Sequence, residues 1–166
     1  MELQDLIQPL HETRNELLEI LHGLNEAQLH KRKEPTGWNV SQVFQHLFIV
    51  EQLYVAAIGR GLMSKEDSSV DSKPIQDLLD RSKKFAAPDI AQPTDELWGI
   101  DEIVDKLSES RKKLYALLNA LPDPSVLSRR HFIHPAFQEL SLMEWVRSLY
   151  IHEQRHAEQI RDILNG

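Results

Sequence analysis

The chain has 166 residues, 26 acidic side chains against 19 Lys and Arg, a formal charge of −7 and no cysteine, and at that length one domain is the expectation. Lack of cysteine excludes disulfide scaffolds, thiolate nucleophiles and cysteine-based zinc or iron–sulfur sites, so a transition metal has to rest on His and carboxylate. The acidic balance speaks against nucleic acid, because the single basic run, His30-Lys31-Arg32-Lys33, lies beside the turn signals Glu34-Pro35 and reads as a solvated loop.

Met1-Glu2-Leu3-Gln4-Asp5 has neither the positive nor the apolar region of a secretory signal. The first helix follows, from about 3 to 24, on the spacing of Leu3, Leu6, Ile7, Leu10, Leu17, Leu18, Leu21 and Leu24, with Gly23 and Asn25-Glu26 ending it. The second starts at Asn39, which can form a capping box with Gln42 while Trp38 packs on Val43. Its apolar residues, from Val43 to Ile58, cover more than one face, and Gly59 and Gly61 are expected to stop it. Gln45, His46, Glu51 and Gln52 interrupt that stretch, so no membrane span is read and a cytoplasmic location is expected.

The segment from about Gly61 to Gly99 contains Pro74, Pro88 and Pro93 and is far longer than a bundle turn requires; one short helical candidate starts at Pro74. The third helix carries Ile100, Ile103, Val104, Leu107, Leu114, Leu117, Leu118 and Leu121, and Pro122 and Pro124 forbid its continuation. The fourth starts at the capping box Ser141-Leu142-Met143-Glu144, with Leu140 and Trp145 as its staple. No useful length alternates with period two, so no substantial sheet is expected. The fold class is all-α: a four-helix bundle, up-down-down-up, with a long crossover between the second and third helices.

Of eight histidines, His11, His22 and His30 read as solvent-facing, and His131 and His134 as turn or rim residues before Pro135, His134 keeping a small claim to ligation. His152 and His156 lie one turn apart on the apolar stripe of the fourth helix, where two inward imidazoles need partners. His46 falls on the inward stripe of the second helix. Three imidazoles from two packed helices can hold a divalent metal and leave a fourth position open, the arrangement of catalytic zinc. Gln42, Glu51 and Glu153 are candidates to orient the rings. His152-Glu153-Gln154-Arg155-His156 also matches H-E-x-x-H, but the peptidase reading wants a sheet edge for its substrate, which leaves Glu153 a weak general-base candidate. Trp38, Phe137 and Trp145 are the expected pocket walls, with His134 at the rim. All-histidine ligation fits zinc, nickel, copper and iron about equally.

Gly37-Trp38-Asn39-Val40-Ser41-Gln42-Val43-Phe44-Gln45-His46-Leu47, His134-Pro135, and the run from Leu140 through Trp145 to His152 and His156 resemble the corresponding segments of the DinB/YfiT-like superfamily. The resemblance implies a four-helix bundle whose metal, often zinc or nickel, is held by His46, His152 and His156. It also implies a metal-dependent hydrolase or a thiol S-transferase joining a low-molecular-weight thiol to a small electrophile. Homodimers are implied too, and a second helix apolar on two faces agrees with them. A non-catalytic alternative stays open: a metal-binding or ligand-sensing bundle whose fourth position is filled by Glu51 or Glu153 or left empty.

Overall fold

The computed structural model describes residues 2–166. Four long helices are present: α1 (Gln4–His22), α3 (Val40–Leu62), α4 (Ile100–Asn119) and α5 (Leu142–Asn165). A one-turn helix α2 (Glu26–Leu29) fills the first connection, capped by Asn25 and Gln28, so Asn25-Glu26 begins a new element as well as following the old one. A hairpin of β1 (His131–His134) and β2 (Gln138–Ser141) leads into α5, with His131 opposite Ser141 and His134 opposite Gln138. It is the only sheet among the described residues, too short to change the fold class. No described helix is long and apolar enough to cross a membrane.

Direction follows from the core, which divides into two apolar clusters. One joins Leu6 and Leu10 of α1 to Tyr54 and Ile58 of α3, Leu114 and Leu118 of α4, and Leu142 to Ile151 of α5. The other joins Leu17 and Leu21 to Val43 and Phe44, Ile103 and Leu107, and Ile160 and Ile163. Early α1 therefore lies beside late α3, late α4 and early α5. The order is up-down-down-up, α3 and α4 run parallel, and the segment from 63 to 99 carries the chain back along the bundle. Each leucine taken from water at these seams contributes roughly 1.5–3 kcal/mol.

The caps form as the sequence requires in α3, where Asn39 Oδ1 accepts from Gln42 N and Gln42 Oε1 accepts from Asn39 N. At α5 half of the box forms. Ser141 Oγ accepts from Glu144 N, but the Glu144 carboxylate turns to the crossover and accepts from Ser72 Oγ and Lys73 N. Gly59 and Gly61 do not stop α3, which runs through both to Leu62. Helical φ/ψ is open to glycine, and Gly61 permits a close approach: a Cβ there would lie 2.5 Å from Leu142 Cδ2.

The two-sided apolar character of α3 is used within the chain. Residues Val40 to Phe48 are all buried, because the late crossover lies along the face that the other helices leave free. Ser41 Oγ donates to Trp98 O, Gln42 Nε2 to Thr94 O and Gln45 Nε2 to Thr94 Oγ1. The breadth of α3 is thus no argument for a second copy of the chain.

Candidate metal centre

His46 on α3 and His152 and His156 on α5 meet where those helices cross under the crossover. One ring nitrogen from each lies within 4.8 Å of the others. His152 Nε2 is 3.3 Å from His46 Nε2 and 3.0 Å from His156 Nε2. Two tautomers are fixed by what the far nitrogens touch. His46 Nδ1 donates to Ala91 O at 2.8 Å and His156 Nδ1 donates to Gln159 Oε1 at 2.6 Å. Each of those neutral rings then carries a bare lone pair on Nε2, aimed at the same point. His152 has one proton to share between two acceptors, and its buried Nδ1 has no protein partner.

Burial lowers the pKa of all three. For His46 the Ala91 carbonyl offsets part of the effect; for His152 its two neighbours add to it, and His156 is brought down to about 3. Neutral imidazoles with convergent lone pairs are a metal-ligand set. A tetrahedral ion with metal–nitrogen bonds of about 2.05 Å holds its ligand atoms about 3.3 Å apart, close to the two separations from His152 Nε2. The residues fit a divalent metal.

The trio lies in the wall of an open cleft of 530 Å³. Trp38 covers its α3 side, its ring 4.8 Å from the His46 ring and 6.5 Å from that of His156. Trp145 forms another wall and donates from Nε1 to Phe132 O of the hairpin. The crossover closes the third side with Phe85 to Pro88 and Ala91.

A family model described as the DinB superfamily matches residues 9–160. The chain belongs to the DinB superfamily. The uncharacterized protein YuaE of Bacillus subtilis (strain 168) is 25% identical over 153 residues, covering 92% of this chain and 93% of YuaE. Among solved structures, TT2238, described as a four-helix bundle protein, superposes with a TM-score of 0.66 at 20% identity, covering 97% of this chain and 99% of its own. That likeness bears on fold.

In this DinB superfamily member the partners expected to orient the imidazoles are replaced by others. Gln42 accepts from Asn39 N and Arg32 Nη1 and donates to Thr94, and it makes no hydrogen bond to an imidazole among the described residues. Glu51 and Glu153 lie in a buried layer across the middle of the bundle. Arg14 binds Glu153 through Nε at 3.0 Å and Glu51 through Nη2 at 3.0 Å. Arg111 binds Glu51 through Nε at 2.6 Å and Glu153 through Nη2 at 2.8 Å. Thr13 donates to Glu153 and Ser110 to Glu51, while the remaining guanidinium donors reach Leu107 O and Leu10 O. Burial pushes the Glu51 carboxyl up, but Arg14, Arg111 and the Ser110 hydroxyl outweigh it and hold it below its ordinary value. A carboxylate so committed is not a general base, so Glu153 leaves the list of catalytic candidates.

His134 is a buried residue of β1 and not a rim group. Its Nδ1 accepts from Ala136 N, so its proton sits on Nε2 and goes to Tyr54 Oη at 2.8 Å. Ser148 spends its own proton on Trp145 O, so Tyr54 donates to Ser148. Burial lowers His134 to about 4 and raises Tyr54 to about 12, so both are neutral around pH 7. Phe137 stands behind the wall, against Phe85 and His134, and does not line the cleft. Sequence reasoning missed Gln159, three residues after His156, and the Ala91 carbonyl. The first is detectable as an i,i+3 amide; a backbone carbonyl carries no sequence signal.

Proposed function

We propose that the chain is a metal-dependent enzyme in which His46, His152 and His156 hold one divalent ion, zinc or nickel. It would activate a low-molecular-weight thiol or water for transfer to, or hydrolysis of, a small electrophile. When bound, the ion supplies Lewis acidity and lowers the pKa of a thiol or water beside it. The observation that carries this reading is the pair of fixed lone pairs on His46 and His156, aimed at one point beside an open cleft.

The chain's own residues supply positioning. Ala91 and Gln159 keep two imidazoles in the ligating tautomer. Trp38 packs against the His46 ring and lies beside that of His156. Arg155, between the two α5 ligands in sequence, donates to Leu78 O, Asp80 O and Lys83 O, which fastens the crossover over the site and reduces access of bulk water. Tyr54 and His134 add a neutral polar wall that leaves the charge of the cleft to its cations.

The non-catalytic alternative has its fourth position filled by Glu51 or Glu153 or left empty. Glu51 and Glu153 are both held by Arg14 and Arg111, which speaks against the filled version. A homodimer is the assembly proposed, on the superfamily resemblance, and sedimentation velocity tests it. Elemental analysis of tag-free protein should find about one divalent ion per chain, and His152→Ala should lose it while keeping its helical circular dichroism. Stoichiometric metal in that variant would overturn the assignment. Thiol-transfer assays with the metal found then separate transfer from hydrolysis.

A further inference from the structure

The charge of the cleft is opposite to that of the chain. In a protein of net charge −7, the cleft wall holds Arg81, Lys84 and Arg155 and no aspartate or glutamate among the described residues. Arg81 pairs with Asp162, which lies outside the wall. Arg155 has no carboxylate partner among the described residues; its guanidinium is held by the three crossover carbonyls and stacks 5.3 Å from the Phe85 ring centre. Asp80, the nearby carboxylate, accepts from Ser82 N and Oγ and lends part of its charge to Arg155. Lys84 is exposed and has no carboxylate partner among the described residues. Carbonyl dipoles satisfy the donors of Arg155 without cancelling its charge. Three cations at the cleft wall thus face two carboxylates outside it, Asp80 and Asp162, and a surplus positive charge on Lys84 shares one small cleft with the imidazole trio.

Deepening the proposed function, and resting on it for the reaction but not for the binding, we infer that the cleft takes a small organic anion. Its carboxylate faces Lys84, within the field of Arg81 and Arg155, and its reactive end faces His46, His152 and His156. A low-dielectric apolar wall of Trp38, Phe85 and Trp145 strengthens that attraction relative to open water and suits a ligand with a short carbon skeleton. The anion belongs either to the thiol or to the electrophile, and the two sources are separable.

Tryptophan emission from Trp38 and Trp145 reads occupancy of the cleft in the full chain, metal-free and zinc-loaded. The probes are two pairs that differ in charge: 3-mercaptopropionate against its methyl ester, and fumarate against dimethyl fumarate. The carboxylate member of at least one pair should bind about fivefold more tightly, the upper range for a partly exposed ion pair, and less so as sodium chloride is raised. Lys84→Glu, a change at an exposed position, should abolish the preference. The metal-free arm removes carboxylate ligation of zinc as its source. A preference in the thiol pair puts the anion on the thiol; one in the alkene pair puts it on the electrophile. Equal binding within both pairs, or a preference unchanged in both Lys84→Glu and Arg81→Ala, overturns the inference. Elemental analysis of the same samples keeps the two readings apart. Metal without carboxylate preference sinks the anion site alone, and carboxylate preference without metal in the wild type sinks the metal reading alone.

Discussion

Helices α3 and α5 each contribute to two polar constellations, and the two behave oppositely. On one face Glu51 and Glu153 meet Arg14 and Arg111 in a layer of two anions and two cations, with Thr13, Ser110 and backbone carbonyls taking up remaining groups. On the other face His46, His152 and His156 crowd three Nε2 atoms together with at most one proton between them, and leave His152 Nδ1 without a protein partner. The first constellation is electrically closed and separates the two apolar clusters of the core. The second is incomplete and faces a cleft. Glu153 follows His152 directly, so one residue of helical rotation, about 100°, separates structural chemistry from ligand chemistry. A buried polar group whose partners all come from the protein holds a fold together. One whose lone pairs converge without a donor is built for something the chain itself does not provide.

The closed layer should fail most severely when opened. Arg111→Met leaves Glu51 and Glu153 with half of their counter-charge, and a loss of about 3–5 kcal/mol is expected in urea unfolding. A loss under 1 kcal/mol would mean that the layer is not closed as described. Replacing Arg14, Glu51, Arg111 and Glu153 together with apolar residues of similar volume should cost far less than that single change.

Acid separates the two constellations by pH. His134 and His156 have folded values of about 4 and about 3, below the ordinary 6.5. The unfolded chain therefore binds more protons first, and metal-free stability falls as pH drops from about 6.5 towards 4. His134 alone accounts for on the order of 3 kcal/mol of that fall. Glu51 is depressed as a carboxylate, so its contribution is intact above its unfolded value near 4.5 and is lost only below it. Stability of metal-free protein that is flat between pH 6.5 and 4.5 would contradict the histidine environment while leaving the Arg–Glu layer untouched.

The mildest intervention targets one tautomer. Gln159→Leu removes the acceptor of His156 Nδ1 and should weaken zinc binding by about 10–100-fold with little change in unfolding free energy. Unaltered zinc affinity, read by competition with a chromogenic chelator, would show that the amide does not set the ligand geometry.

The helices and their caps were legible because period and capping chemistry are local. The trio was legible as well: replacing His46, His152 or His156 by Leu would complete an ordinary apolar seam, and inward imidazoles on such seams invite a ligand. The Arg–Glu layer also leaves a signal in the sequence. Leu6, Leu10, Arg14, Leu17 and Leu21 follow the same spacing as Ile103, Leu107, Arg111, Leu114 and Leu118, so an arginine interrupts both seams at the same step. Glu51 and Glu153 were assigned to the histidines because they are near them along the chain; helix rotation carries them to the opposite face.

What the sequence settled by itself is what periodicity encodes: four amphipathic helices, where they start, and which imidazoles face inward. Tertiary structure alone decided partnership. The course of the crossover determined that Ala91 fixes His46, that α3 is covered within its own chain, and that cations stand around the cleft. Each of these depends on residues far apart in the chain meeting in space, and no local pattern carries that information.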